Sequence, residues 1–414
     1  MLASRMFLLL AVLSPLCSLD AADSWPEFRG PHGDGRVENS HLPTRWSETE
    51  HVRFKTRLPG RGWSTPVIVR DRIWMSSATE DGRELFALCI NRNSGKLLSR
   101  VKLFEVEHPA PRNKLNSYAS PSPVTDGRRV YLYFGTYGMA ALDAESGRTI
   151  WTRRDLKLDH QEGPGSSPIL YDGKLIVHCD GRDVQYLVAI DCETGETVWK
   201  RKRSIDLSKV GDYARKAFTT PLVVATDEGD RLISPAAQGC YGYDPTNGRE
   251  IWRVRYPGFS AVPRPVAAKG LAFVVDGFAK PKIYAIRYDG QGDVSDSHVA
   301  WIYSQNGPST PSPVVLDDQL LFISDKGILS SVNVETGKQL WRRRIGGNFC
   351  ASPIVANGLV YLFDRAGKTT IIRAGNSPQV VAVNELDEGL MASPAVAGNA
   401  LFLRTSSFLY CLEK

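Results

Sequence analysis

The chain has 414 residues, 42% of them hydrophobic and 23% charged, with 51 Lys and Arg against 45 Asp and Glu for a formal net charge of +6. Such a make-up supports a large buried core and excludes an intrinsically disordered protein, and its dispersed charge excludes a polybasic nucleic-acid tail. Seven cysteines and seven histidines show neither CxxC nor HExxH spacing, so no metal motif is legible.

Arg5 precedes an apolar run over 6–16, and Ala21-Ala22 offers a small-residue exit. This predicts a secretory signal peptide over 1–22, too short for a membrane span. No later run is long enough to cross a bilayer, so a soluble periplasmic or secreted protein is expected, monomeric and without a transmembrane segment. Cys17 raises lipid attachment, but Ser14-Pro15-Leu16 is a poor lipoprotein signal and no anchor is predicted. Residues 23–51 are read as an N-terminal flap over the fold. Residues 52–58 are read as an orphan strand, with Phe54 near a position that elsewhere holds tryptophan.

The rest of the chain repeats. A residue that is short in all units but one, a proline and an apolar strand recur at Thr65-Pro66, Ser122-Pro123, Ser167-Pro168, Thr220-Pro221, Arg264-Pro265, Ser312-Pro313, Ser352-Pro353 and Ser393-Pro394. The spacing of roughly 40–57 residues, filled with short strands, predicts a β-propeller. Each unit holds four strands and tight turns, for example Asp172-Gly173 and Thr194-Gly195 in the third. Proline suits the first residue of a strand, where it need not donate a ladder hydrogen bond. Trp151, Trp199, Trp252, Trp301 and Trp341 end their units and are read as core between neighbouring units, not as a base-stacking or sugar platform. The last unit is one strand short, so 52–58 should pair with the C-terminal strand and close the ring. The expected architecture is all-β: an eight-bladed propeller of four-stranded antiparallel blades, forming one domain over 52–414.

After Cys17, six cysteines remain (Cys89, Cys179, Cys192, Cys240, Cys350 and Cys411) and are read as mostly buried thiols. Cys179 and Cys192 share a unit but lie too far apart along its strands for a disulfide. The basic runs at Lys200-Arg201-Lys202-Arg203 and Arg342-Arg343-Arg344 follow tryptophans, so both read as solvated outer strands, and no nucleic-acid partner is expected.

The repeat over 141–151, ending at Trp151, resembles the quinoprotein-type propeller repeat shared by quinoprotein alcohol dehydrogenases and the propeller lipoprotein of outer-membrane protein assembly. Over nearly the whole mature chain, Trp25-Pro26-Glu27-Phe28-Arg29-Gly30, Cys179-Asp180-Gly181-Arg182, Val262-Pro263-Arg264-Pro265 and Asn384-Glu385-Leu386-Asp387 resemble a group of exported propellers abundant in planctomycete-like bacteria and named for pyrroloquinoline quinone. That resemblance implies the fold, and it raises pyrroloquinoline quinone with Ca²⁺ as the cofactor to test. In the dehydrogenases the quinone stacks between a tryptophan and a disulfide of adjacent cysteines, and this sequence has no adjacent pair. The expectation is therefore no cofactor and no catalytic residues, with a quinone-dependent oxidoreductase as the alternative and an outer-membrane assembly factor as the second. Asp289, Asp293 and Asp296 share a loop in which carboxylates could gather Ca²⁺, but a solvated turn is the reading preferred.

Turn alternation divides the propeller into a face of short repetitive turns and a face of irregular loops (107–117, 159–165, 204–217, 258–262 and 385–390). The irregular face is the expected binding surface for an envelope protein, peptide or glycan. Asn116, His160, Asp180, Arg182, Asp183, Gln185, Lys216, Arg264 and Asp276 are its candidate residues. Arg264 stands where the other units carry a short residue and should start beside the axis. It is either an anion clamp or, as preferred here, one half of an ion pair with Asp180, Asp183 or Asp276.

Overall fold

The computed structural model describes residues 23–414; the signal peptide expected over 1–22 and the question of Cys17 lie outside the described residues. Eight four-stranded antiparallel blades follow one another in the chain, and blades 4 and 7 each gain a short fifth strand paired in parallel, Gly292–Asp293 and Arg36–Val37. Blade 3 shows the pattern, with strands Ile169–Tyr171, Lys174–Asp180, Gln185–Asp191 and Thr197–Lys202 running from axis to rim. The other blades occupy 67–105, 124–153, 222–255, 266–303, 314–344, 354–385 and 395–412. The ring closes as the repeat pattern demands. Strand Val52–Arg57 pairs antiparallel with Phe408–Leu412, placing Phe54 opposite Cys411 as the outer strand of blade 8.

At the axis, the residues before the prolines do more than fit a crowded space. Their backbone N–H groups donate to the hydroxyl of the corresponding residue in the next blade. Thr65 donates to Ser122 (2.9 Å), Ser122 to Ser167 (2.9 Å) and Ser167 to Thr220 (3.0 Å). Arg264 then donates to Ser312 (3.0 Å), Ser312 to Ser352 (3.0 Å) and Ser352 to Ser393 (2.9 Å). Thr65 closes the circle through its own hydroxyl, which donates to the Ser393 carbonyl at 3.0 Å. The following proline has no N–H and holds its predecessor extended, so this N–H points sideways to the next blade instead of into a ladder. The relay of N–H groups to hydroxyl acceptors is thus interrupted twice, at Arg264, which has no hydroxyl, and between Ser393 and Thr65, where the hydroxyl donates instead.

At the rim, the tryptophans link each blade to the next. Trp151 donates its indole N–H to the Cys192 carbonyl, Trp199 to Pro245, Trp252 to Tyr288, Trp301 to Val334 and Trp341 to Gly375, at 2.7–3.2 Å. The third strand stays small beneath each ring. Ala141, Ala189, Gly242, Ala285 and Ser331 sit opposite, and a Cβ on Gly242 would fall 2.2 Å from the Trp252 indole. A β-bulge just before the tryptophan position recurs in every blade and turns that side chain toward the neighbour. The bulged residue points outward, which accounts for exposed Leu98, Val198 and Leu340. Blade 1 has Ser99 in the fourth-strand position. Trp74, two strands inward on the same cross-strand row, reaches over and donates to Ala144 at 3.2 Å instead.

The basic runs divide. Lys200, Arg201, Lys202 and Arg342 to Arg344 are exposed on outer strands, where charge discourages edge-to-edge pairing. Arg203, read as solvated, is instead buried against blade 4. All six cysteines among the described residues are free thiols, and five of them are buried.

If the axial ring carries load, removing one hydroxyl strands the amide that used it. Ser167→Ala should lower the unfolding free energy by about 1–3 kcal/mol in urea titration, because the Ser122 N–H loses its acceptor. Ser167→Thr, which keeps the oxygen as Thr220 does, should cost much less.

Candidate functional site: the axis and the irregular face

The flap crosses the axis before it becomes the outer strand of blade 8. Trp25 exchanges both backbone hydrogen bonds with Ile68 of blade 1, the Pro26 carbonyl accepts from Thr125 of blade 2, and strand Arg36–Val37 pairs in parallel with Ile354–Ala356 of blade 7. Between those anchors lie two arginines. Arg264 donates from Nε to the Pro221 carbonyl (3.1 Å) and from Nη1 to the Phe28 carbonyl (2.5 Å), and it pairs with Glu27 at 2.8 Å. Its partner is thus the flap carboxylate, not Asp180, Asp183 or Asp276, because the side chain reaches toward the flap while those aspartates are held elsewhere. Gly33 makes room, since a Cβ there would sit 2.4 Å from the Arg264 guanidinium carbon. Arg29 donates to the carbonyls of Ser312 (3.3 Å), Pro313 (2.7 Å) and Asp34.

Asp180 is buried between blades 3 and 4. Arg203 grips it with Nε (3.1 Å) and Nη2 (2.6 Å), and its Nη1 donates to Ser234 Oγ at 2.5 Å. Ser234 Oγ also meets His178 Nε2 at 2.8 Å, while His178 Nδ1 stays 3.9 Å from Asp180. Serine, histidine and aspartate are present, but Ser234 has no exposed surface and Asp180 is committed to the arginine. The cluster therefore ties two blades together and offers no nucleophile to a substrate. Burial, and then the adjacent Arg203 charge, keeps His178 neutral.

The remaining candidates lie in the irregular loops and mostly hold those loops to one another. Arg182 Nε donates to Asp159 at 3.0 Å, and Asp183 accepts from the Asp159 N–H at 2.8 Å. Gln185 donates to the Gly181 carbonyl at 2.8 Å, and Asn116 to the carbonyls of Glu162 (2.8 Å) and Pro164 (3.1 Å). Lys216, buried, donates to the Tyr213 carbonyl at 2.5 Å, and Asp276 accepts from the Lys282 N–H at 2.8 Å. What sequence reasoning passed over is apolar. Tyr213 (57% exposed) packs edge-on against Phe259 with centroids 5.6 Å apart, and Phe278 (63% exposed) donates its backbone N–H to the Phe259 carbonyl. Tyr213 lies inside the 204–217 loop and Phe259 inside the 258–262 loop, but Phe278 lies outside all five loops, and no sequence pattern marks these rings as exposed. Shallow clefts of ≈ 510 and ≈ 520 Å³ lie instead among the short turns, around Glu228 and Arg249 and around Asp172 and Glu193.

The acidic loop does not form a cation site. Asp293 is taken by Arg253 (3.3 Å) and Arg255 (2.9 Å), the Ser295 hydroxyl and then Arg255 hold it well below the usual carboxylate range, and Asp289 faces His298 at 3.6 Å. Among the described residues no three His, Cys, Asp or Glu side chains converge. Nor do the donors at the axis suit a quinone bridged by Ca²⁺. Guanidinium groups and carbonyls line it, and its carboxylate, Glu27, is already paired with Arg264.

His160 should make the stability of the irregular face depend on pH. Its Nε2 accepts the Thr136 N–H at 3.0 Å, and burial pulls its pKa down to about 4, against the opposing pull of Asp159 and Asp183. The unfolded chain titrates near ~6.5 and so binds the extra proton first as pH falls. Stability contributed by neutral His160 should be complete above about pH 6.5 and decline toward pH 4. His160→Gln, which keeps an acceptor, should flatten that decline in unfolding titrations across this window.

No curated protein sequence matches the chain. The fold resembles BamB from Moraxella catarrhalis (TM-score 0.60, 12% identity, covering 87% of this chain and 99% of that one). It also resembles quinohemoprotein alcohol dehydrogenase from Comamonas testosteroni (0.66, 11%, 95% and 80%) and a europium-containing methanol dehydrogenase (0.69, 10%, 94% and 91%). At such identities these likenesses establish the fold alone. A family model described as outer membrane protein assembly factor BamB matches residues 44–214 and 184–414. Its matches run through all eight blades, and the chain belongs to this family of PQQ-like β-propellers.

Proposed function

We propose that the protein is an exported, non-catalytic propeller that binds a protein, peptide or glycan through its irregular face. The observation that carries this reading is the flap. Residues 25–37 cross the axis and are pinned by the Arg264–Glu27 pair, so the chain itself occupies the axis and its carboxylate there is already committed. The opposite face combines loops fixed by Arg182–Asp159 and Asn116 with the apolar cluster of Tyr213, Phe259 and Phe278. Rigid loops with exposed aromatics are suited to recognition, since aromatic groups offer large contact area at small entropic cost. Export rests on the signal-like N-terminus; among the described residues no helix is long and apolar enough to cross a membrane.

A second reading, a role in outer-membrane protein assembly, is favoured by the family match. Under it the same face would bind a component of that machinery. The donor set at the axis counts against the quinone-dependent oxidoreductase.

Photo-crosslinking separates the faces. A benzophenone side chain placed at Phe278 should give a discrete adduct in envelope extracts, and one at Asn247, in a short turn of blade 4, should give none. Adducts from Asn247 alone would reverse the assignment of the binding face. Mass spectrometry of the Phe278 adduct would separate an outer-membrane assembly component from another partner.

A further inference from the structure

The short turns repeat with little variation, and the two departures from them meet at one place. The turn from first to second strand has two residues in six blades and three in blade 2, but in blade 4 it runs over 225–230. The turn from third to fourth strand has five or six residues in blades 1–4, 6 and 7, but in blade 5 it runs over 288–298. Both insertions border a cleft of ≈ 510 Å³ between blades 3 and 4, open on the face of the short turns. Insertions on a rigid scaffold are where binding sites are usually built.

Each insertion is held in place. The longer one folds back onto blade 4, where Gly292–Asp293 pairs in parallel with the outer strand Glu250–Arg255 and so sets Gln291 at the cleft. The shorter one is fixed by buried Arg231, which donates to the carbonyls of Gly229 (3.0 Å) and Asp230 (3.3 Å) and to Glu228 Oε2 (3.0 Å). Tyr171 of blade 3 completes the lining, with its hydroxyl facing Asp230. Two polar groups are left uncommitted. Arg249 and Gln291 are exposed, and neither side chain makes a hydrogen bond or an ion pair. The comparable cleft one blade earlier, ≈ 520 Å³ between blades 2 and 3, has no long insertion, no arginine and no aromatic ring. Its charges are also taken: Lys174 pairs with Asp172, Glu193 with Arg129, and Asp126 accepts from the Tyr131 hydroxyl.

Charge nearly balances in the blade 3–4 cleft, with Glu228, Asp230 and Asp244 against Arg231 and Arg249. Such a lining suits a neutral molecule whose groups both donate and accept, as hydroxyls do. Tyr171, Pro245 and Ile251 add apolar surface on which a C–H face can lie. The volume falls within the roughly 300–1,000 Å³ of small-molecule sites.

We propose that this cleft is a saccharide site, taking a neutral sugar of one or two rings. The Arg249 guanidinium and the Gln291 amide donate to its hydroxyls, and those hydroxyls donate in turn to the carboxylates of Asp230 and Glu228. The site lies on the opposite face from Tyr213 and Phe278 and is independent of what that face binds.

Saturation-transfer NMR on the mature chain tests the site, with glucose, cellobiose, N-acetylglucosamine and chitobiose as separate probes. At least one should give saturable transfer. The double variant Arg249→Ala with Gln291→Ala alters only exposed side chains, and it should weaken that binding by about tenfold or more. Its melting temperature should match that of the natural sequence. Lys174→Ala, in the comparable cleft, should bind as the natural sequence does. Absence of saturable transfer from every probe would overturn the proposal. So would binding that survives the double variant, and its loss in Phe278→Ala instead would move the sugar to the irregular face.

Discussion

The hydrogen bonds that pass from blade to blade around the axis are the constraint on which the rest depends. Inner strands in a propeller converge, and their first residues cannot pair with a neighbouring strand in the usual ladder. A serine or threonine followed by proline meets that difficulty with backbone and side chain together. Proline keeps its predecessor extended and supplies no competing N–H, and the hydroxyl accepts the N–H of the blade before. Alanine would fill the space equally well but would leave six axial amides without their hydroxyl acceptors.

The exception at Arg264 follows from the same geometry. Losing the hydroxyl there ends the relay and leaves room for a long cation. The flap supplies the matching carboxylate, Glu27, and glycine at 33 where a side chain would strike the guanidinium. One irregularity in the repeat thus adds an axial anchor to an N-terminal segment that backbone pairing already ties to blades 1, 2 and 7. At the rim a second exception is repaired differently: Trp74 reaches from an inner strand to the carbonyl that the missing fourth-strand tryptophan of blade 1 would have met.

Blade number, ring closure through 52–57 and the tryptophan seams were legible because each leaves a periodic trace in the sequence. The hydroxyl circle was half legible. Serine before proline could be read as small, but its role as acceptor depends on the neighbouring blade, about one repeat away. Partners of isolated charges were not legible. Arg264 was correctly placed at the axis, yet its carboxylate lies in the flap, and Asp180 belongs to Arg203, read from the sequence as a solvated outer-strand residue. The same limit applied to the irregular face. Its polar residues stood out, but most of them secure the loops, whereas Tyr213 and Phe278 carry no pattern that marks them as exposed.

Together these features describe a ring crossed at its axis by its own N-terminus, the arrangement on which the proposed recognition by the opposite loops rests. Calorimetric titration of the mature protein with pyrroloquinoline quinone, with and without Ca²⁺, tests that account most directly. The account predicts no saturable heat in either condition. Saturable, Ca²⁺-dependent binding would contradict it, because the flap and its Arg264–Glu27 pair would then have to give way to a cofactor at the axis.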